Sequence, residues 1–366
     1  MPEPAEPRQP EAAEEPEDPG RPAGPGGGRL RPRLLLLTCA GLFMTQLDLT
    51  VVNVAVGAIR SDLGASATQL TWVVDAYFVT FAAFMIGFGD IGDVVGRLRV
   101  LRGGLVGFLA ASLGAALATD ASVLITFRAL QGVAGAAVLV SSLALLVDNL
   151  DGAARTRAIG VWSAVAGTSL VVGPPLGGFV TDTAGWRGIF WMNLPIVLFA
   201  LACGHRMDSR PRQGHPRGVD WLGQLLAVTS LAAAAWGISQ AAATRGSSPA
   251  GWLSLAAGVL LGAVFAVSQR RTPAPLVPPQ LFASPAFRHA NLAAALVNFG
   301  TLGLLFLLGT HLTERVGLDA ATAGWRIAPL FASYVVASLF AGRIARRLGP
   351  RRPAAAGGAL AGAAVA

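Results

Sequence analysis

The sequence predicts an all-α integral membrane protein, and three observations carry that prediction. Of the 366 residues, 53% are hydrophobic and only 13% are charged, and the mean hydropathy is +0.57. A long chain this apolar is typical of a bundle of membrane-spanning helices rather than of a protein surrounded by water. Apolar segments recur along it, and arginines cluster in every second connection between them.

The chain begins with residues 1–28, which are rich in Pro, Glu, Ala and Gly and cannot bury a core. We expect them to form a disordered, acidic cytoplasmic tail rather than a secretory signal. Apolar spans follow, each near the roughly 20 residues that cross a bilayer as an α-helix. The predicted spans are 34–57, 70–90, 99–118, 122–147, 156–180, 188–204, 219–240, 250–268, 289–311 and 322–342. A further apolar stretch begins after Pro353, and the sequence stops before it could span.

The longest inner connection, residues 205–218, is a polar run of Arg, Pro and Gly and predicts a cytoplasmic linker. It divides an N-terminal six-helix bundle at 29–204 from the remainder. Residues 219–268 are expected to form two additional transmembrane helices. Residues 269–366 would then supply a partial C-terminal bundle, with two helices and the start of a third.

Arginine placement predicts a cytoplasmic N-terminus, because cytoplasmic loops carry the positive excess in membrane proteins. With the N-terminus inside, the outer loops hold only Arg60, Arg187, Arg245, Arg315 and Arg326. The net charge of +8 therefore reflects topology. Nucleic-acid binding is disfavoured, since it requires basic residues clustered on one soluble face. We expect a multi-pass protein of the cell membrane.

Residues 160–178 form a long apolar helix candidate whose second half contains helix breakers. These are Gly173, Pro174, Pro175, Gly177 and Gly178. An interior proline costs about 3 kcal/mol in a soluble helix, but in a membrane neighbouring helices satisfy the freed backbone groups. Glycines on one face also allow close helix packing. We expect a bend and a packing seam here, and pseudo-symmetry between duplicated halves predicts that it faces the span at 322–342.

Ionisable residues are few within the predicted spans, and Asp48, Asp75 and Arg128 are the three candidates among them. A charge at the bilayer centre costs at least ~2.5–3.5 kcal/mol, so each is a functional hypothesis. Burial favours a neutral carboxyl group, whereas a nearby arginine favours the ionised form. The three are therefore candidates for protonation and coupling. The alternative is that Arg128 and one Asp form a static buried pair that holds the bundle together.

A glycine-rich connection between the second and third spans contains Gly89, Asp93, Gly96 and Arg97. Its glycines permit a tight turn, and Arg97 can meet a carboxylate such as Asp148 at the inner end of the fourth span. Ordinary positive-inside charge is the alternative reading. Asp93 favours a conformational switch, since topology does not require an acid there.

The other intramembrane polar residues could bind a substrate or form interhelical hydrogen bonds, and the structural role is favoured. They are Gln46, Asn53, Gln131, Asn193 and Asn298. Trp72, Tyr77, Trp162 and Trp191 are more typical of interface anchors than of a cavity lining. The chain lacks a P-loop and any lysine, which argues against an ATP-driven pump. We expect no enzyme activity, no catalytic residue, no cofactor and no metal site.

These residues resemble the major facilitator superfamily, and within it the fourteen-helix drug:proton antiporters of the QacA/EmrB type. Residues 89–99 are similar to the cytoplasmic motif of the family, and FRALQGVAGAA is similar to the fourth-helix motif, with Arg128 as its coupling arginine. LDLTVVNVAV resembles the first-helix motif around Asp48, and Asp75 matches a second-helix acidic position. The fifth-helix antiporter motif is matched by Gly167, Gly173, Pro174, Gly177 and Gly178.

The resemblance implies a monomer in the lipid bilayer that exports amphipathic, often cationic compounds by alternating access in exchange for protons. It leaves two alternatives: an importer or uniporter of a small polar metabolite, and a truncated membrane protein that does not transport. The proline and glycine pattern of residues 160–178 favours export. The family has fourteen helices, so the chain is expected to be C-terminally truncated and not to transport alone.

Overall fold

The computed structural model describes residues 31–207, 220–244 and 246–317, together with single positions beyond 317. Within these residues the regular structure is all helical, and eight helical segments are long and apolar enough to cross a membrane. The predicted all-α membrane fold is confirmed. The division into domains remains a prediction, and the predicted span at 322–342 lies outside the three described ranges.

The helices follow the predicted spans, and most of their ends lie within a few residues of the predicted ones. They are α1 (Pro32–Leu63), α2 (Ala67–Val95), α3 (Arg97–Ala116), α4 (Ala121–Asn149), α5 (Gly152–Ala184), α6 (Arg187–Trp191), α7 (Asn193–Gly204), α8 (Trp221–Ala243), α9 (Pro249–Ser268) and α10 (Pro285–Thr310). A bilayer core accounts for only the apolar part of each helix, and polar residues continue several helices past it. Caps then fix the ends: Ser66 and Gln69 form a capping box that starts α2, and the Asp120 carboxylate caps α4.

The sixth predicted span, 188–204, is confirmed as an apolar segment that runs from Arg187 to Gly204, but it is not one continuous helix. It divides at Met192 into α6 and α7. Pro195 explains the break, since it has no N–H to donate to the carbonyl group of Trp191. The first residue of α7, Asn193, is fully buried.

The predicted glycine-rich loop is also mostly helical. Helix α2 continues to Val95 and α3 begins at Arg97, so Gly96 alone makes the turn. Its φ of 103° lies in a region that favours glycine. Its N–H donates to the carbonyl oxygen of Gly92 at 3.0 Å, which closes the last turn of α2.

Helices α1 to α7 pack into one bundle whose interior has two apolar clusters. The cluster at the Gly96 end includes Leu37, Met44, Leu101, Leu105, Phe108 and Leu146. The cluster at the opposite end includes Val52, Ile59, Val73, Leu124, Ile189 and Phe190. A layer of buried polar side chains separates the two clusters, and this layer forms the candidate site.

The hairpin of α8 and α9 packs against α2, and most of its other side chains face outward. The Gln224 Nε2 atom donates to the carbonyl oxygen of Ala83 at 2.9 Å. Gly87 leaves room for this glutamine, because a Cβ atom there would collide with it. The interior of the N-terminal bundle therefore remains separate from the α8–α9 pair.

Candidate functional site

The centre of the polar layer is an ion pair between Arg128 of α4 and Asp48 of α1. Both side chains are sealed from solvent, at 1% and 0% exposure. Arg128 Nη1 donates to Asp48 Oδ2, and Arg128 Nε donates to the carbonyl oxygen of Val73 at 3.0 Å. The guanidinium carbon lies 4.5 Å from the centre of the Tyr77 ring, a cation–π contact. Arg128 and Asp48 thus form a buried ion pair, the arrangement that a coupling role and a static role both require.

Neutral side chains extend this pair into a network that joins five helices. Gln131 of α4 accepts from Arg128 Nη1 at 2.9 Å and donates to Ser112 Oγ of α3 at 2.9 Å. Asn193 Nδ2 of α7 donates to Asp48 Oδ1 at 3.1 Å and to Ser112 Oγ at 3.3 Å. Both carboxylate oxygens of Asp48 therefore have donors. No sequence pattern pointed to Ser112, since a single serine in an apolar span is commonplace.

Asp75 lies apart from this network. The residue is on α2, it is half-buried, and within the described ranges its carboxylate has no hydrogen-bond or ion-pair partner. The structure therefore brings together two of the three predicted coupling residues, Asp48 and Arg128, and leaves the third separate. Of these two acids, Asp48 is sealed from solvent and Asp75 is partly exposed among the described residues.

A second charged cluster lies at the Gly96 end of the bundle. Arg97 Nη2 donates to Asp93 Oδ1 at 2.9 Å, and Arg97 Nη1 lies 2.6 Å from Asp148 Oδ2. Arg97 Nη1 also donates to the carbonyl oxygen of Ala144 at 3.1 Å. The arginine therefore ties the start of α3 and the last turn of α2 to the last turn of α4, as the sequence predicted for Arg97 and Asp148. Gly89 has open space at its Cβ position and takes no part in this contact.

The fifth-helix motif forms a seam with α1. Helix α5 runs unbroken from Gly152 to Ala184 with Pro174 and Pro175 inside it, so the predicted span at 156–180 is a single helix that tolerates both prolines. Gly177 is buried, and a Cβ atom there would lie 2.6 Å from Val51 Cγ2 and 2.9 Å from the Val51 carbonyl oxygen.

Gly173 is buried in the same seam, where a Cβ atom would collide with Thr50 of α1. Gly167 is also buried, whereas Gly178 makes only ordinary contact, at 3.8 Å from Val54. The tight side of the motif thus faces α1. The partner predicted by pseudo-symmetry, 322–342, lies outside the described ranges.

A clamp closes the end of the bundle opposite Gly96. Asp62, in the last turn of α1, accepts from Trp186 Nε1 at 3.0 Å and from Arg187 Nη1. Arg187 Nη2 also donates to the carbonyl oxygen of Ala118, beyond the end of α3, at 2.9 Å. The start of α6 is therefore fixed to α1 and α3 only a few residues before Asn193.

An apolar cavity of about 500 Å³ lies between α2, α3 and α4. Its lining includes Phe88, Gly104, Phe127, Leu130 and Ala137, and none of the charged candidates lines it. It is thus separate from the polar layer.

An arginine and a carboxylate buried in the middle of an apolar helical bundle, with charged clusters at both ends, are typical of a membrane transporter. The chain belongs to the major facilitator superfamily, whose sequence profile matches residues 38–366. This is a family of membrane transporters rather than of enzymes.

Among its relatives are proteins named for drug or antibiotic resistance. The chain is 35% identical over 308 residues to the methylenomycin A resistance protein of Streptomyces coelicolor, which covers 84% of this chain and 65% of that protein. It is 32% identical to the multidrug efflux pump LfrA of Mycolicibacterium smegmatis, over 84% of this chain and 61% of the pump. It is 31% identical to the tetracenomycin C resistance and export protein of Streptomyces glaucescens, over 88% and 60%. The chain therefore spans less than two thirds of the length of these three relatives.

A solved structure gives the same fold. The proton:xylose symporter XylE superimposes with a TM-score of 0.57 at 13% identity, over 86% of this chain and 69% of the symporter. The predicted membership of the superfamily is confirmed, and the named relatives are consistent with the drug:proton antiporter branch.

Proposed function

We propose that this chain belongs to an exporter that moves amphipathic, cationic drugs or natural products out of the cell in exchange for protons. The single observation that carries the proposal is the Asp48–Arg128 pair, sealed at the centre of the bundle. Asp75, which has no ion-pair partner among the described residues, supports it. The resistance and export proteins among its relatives support the direction of transport.

The proton would be carried by Asp48. Ionised, this carboxylate is balanced by Arg128 and by the Asn193 amide. Protonation removes the negative charge and leaves Arg128 with the Val73 carbonyl group and Gln131 as its acceptors. A buried charge without a counter-charge is unfavourable. Protonation of Asp48 leaves Arg128 in that state and therefore favours a different packing of the five helices of the network.

The substrate would be attracted by Asp75. A half-buried carboxylate that has no partner in the described part of the chain is suited to pair with a cationic group on an amphipathic molecule. Protonation of the same carboxyl group weakens that attraction and favours release. In this proposal, protonation of Asp48 drives the conformational change, and Asp75 binds the substrate.

Two further features would support alternating access between the halves. The close α1–α5 seam at Gly173 and Gly177 provides a rigid surface, and the Arg97 cluster provides charged contacts that can open and close. We place the protein in the cell membrane, with its N-terminus in the cytoplasm, as a monomer with a small molecule and protons as its partners.

The test is efflux of a cationic dye from cells that express the full-length coding sequence. Asp75→Asn should reduce efflux of the cationic dye at least tenfold while export of a neutral amphipathic drug continues. Asp48→Asn should abolish the response to a proton gradient. Asp182→Asn, an exposed acid on α5, serves as the matched control and should behave as wild type. If Asp48→Asn and Asp75→Asn both retain proton-coupled efflux of cationic dyes, the scheme is wrong.

A further inference from the structure

Asn193 has one buried atom that the described network leaves unused. The side chain is 0% exposed, and its Nδ2 donates to both Asp48 Oδ1 and Ser112 Oγ. Its Oδ1 has no hydrogen-bond partner within the described residues. A buried acceptor without a hydrogen bond destabilises the folded protein, so its presence requires an explanation.

The amide is suited to both protonation states of Asp48. An ionised carboxylate only accepts hydrogen bonds, so it requires the Nδ2 side of Asn193, as observed. A carboxyl group protonated on Oδ1 must donate instead. Half a turn of the amide about χ2 brings Asn193 Oδ1 to the position of Nδ2, where it accepts from Asp48. The Ser112 hydroxyl group, which now accepts from Nδ2, can donate to the same oxygen.

The unpaired side of the amide is what allows this turn. Because Asn193 Oδ1 makes no hydrogen bond to any described residue, turning the amide breaks no hydrogen bond on that side. One amide atom is unpaired before the turn and one after it, so the cost is similar in both orientations. The orientation of the Asn193 amide then depends on its hydrogen bond to Asp48 alone.

The charged and titratable groups around Asp48 do not compete with Asn193 for the Oδ1 atom of Asp48. The charged or titratable side chains that face Asp48 in the described bundle are Arg128 from α4 and Tyr77 from α2. Arg128 occupies the Oδ2 side of the carboxylate, and the Tyr77 hydroxyl group donates to the Thr45 carbonyl oxygen at 3.1 Å. Helices α3 and α7 contribute Ser112 and Asn193, neither of which titrates.

We propose that Asn193 is a positioning residue whose amide turns when Asp48 gains a proton, and so transmits the protonation state to the break between α6 and α7. This inference rests on the proposed function, in which Asp48 carries the proton. Asn193 is the first residue of α7, directly after the Met192 turn. A reversal of its amide therefore acts where the sixth span is divided, next to the segment that the Asp62 clamp holds.

Infrared difference spectroscopy on the purified full-length protein, taken between high and low pH, tests the proposal. The band of the protonated Asp48 carboxyl group is identified by its loss in Asp48→Asn. The carbonyl band of the Asn193 side chain is identified by its loss in Asn193→Leu. If that variant does not fold, Asn193→Ser replaces it. Asn291→Leu, which removes an exposed amide bonded to its own helix, is the matched control.

We expect the Asn193 carbonyl band to move to lower frequency at low pH, with the same midpoint as the Asp48 band, because the oxygen gains hydrogen bonds. An Asp48 band that titrates beside an unchanged Asn193 band would overturn the turning amide and leave the proposed function standing. The absence of an Asp48 carboxyl band at every pH tested would overturn both.

Discussion

The Asp48–Arg128 pair should be strongly coupled, and a double-mutant cycle measures that coupling. Asp48→Asn leaves Arg128 in place at 1% exposure without a counter-charge. Breaking a buried pair in this way typically costs 3–5 kcal/mol, roughly. Arg128 keeps the Val73 carbonyl group, Gln131 and the face of Tyr77, so we expect the lower end, about 3 kcal/mol.

Arg128→Met leaves the buried Asp48 with Asn193 as its one remaining side-chain donor in the described network, and we expect a similar loss of about 3 kcal/mol. The double variant removes both charges, and replacing a buried ion pair by neutral groups is often nearly neutral. We therefore expect it to cost about 1 kcal/mol, which gives a coupling of about 5 kcal/mol between the two sites.

The assay is the free energy of unfolding of the purified protein in mixed micelles, with loss of helical circular dichroism as the signal. Wild type, the two single variants and the double variant are compared at one pH. If the two single costs add to the double cost within about 0.5 kcal/mol, the side chains do not act as a pair. The inference that the buried Asp48–Arg128 pair links protonation to conformation would then be wrong.

Two further predictions concern the seam and the Gly96 end of the bundle. Gly177→Ala should destabilise the protein by about 1–3 kcal/mol in the same unfolding assay, because its Cβ would press on the Val51 backbone. Gly178→Ala, which meets an atom only at 3.8 Å, should change stability by about 0.5 kcal/mol or less, and equal effects of the two variants would contradict the seam. Arg97→Gln should cost only about 1 kcal/mol of stability because the cluster is partly exposed, yet slow dye efflux at least tenfold. Unchanged efflux would exclude a switching role for the contact with Asp148.

Much of the fold could be predicted because the bilayer imposes length and composition on every span. Charge alternation and apolar length located the spans that the described ranges contain. They could not locate the break at Met192, because Pro195 is compatible with either a kink or a helix start. They also mistook the region from Gly89 to Arg97 for a loop, since only Gly96 needs a non-helical conformation.

The candidate site was only partly predictable for a different reason. The cost of burying charge singles out Asp48, Asp75 and Arg128, but it does not say which acid faces the arginine. That choice depends on how α1, α2 and α4 pack, which a single sequence does not specify. The role of Ser112 and the tight contact of α5 with α1 also depend on how the helices pack.

The proposed exchange of a cationic substrate for protons can be measured directly as countertransport in proteoliposomes that contain only the full-length protein. A pH gradient is imposed across the vesicle membrane, and the concentrations of a cationic dye and of protons are followed together. We expect the dye to move against its own concentration gradient while protons move in the opposite direction. We expect Asp48→Asn to abolish this coupling. Dye movement that only equilibrates, with no accompanying proton flux in the wild-type protein, would contradict the proposed exchange.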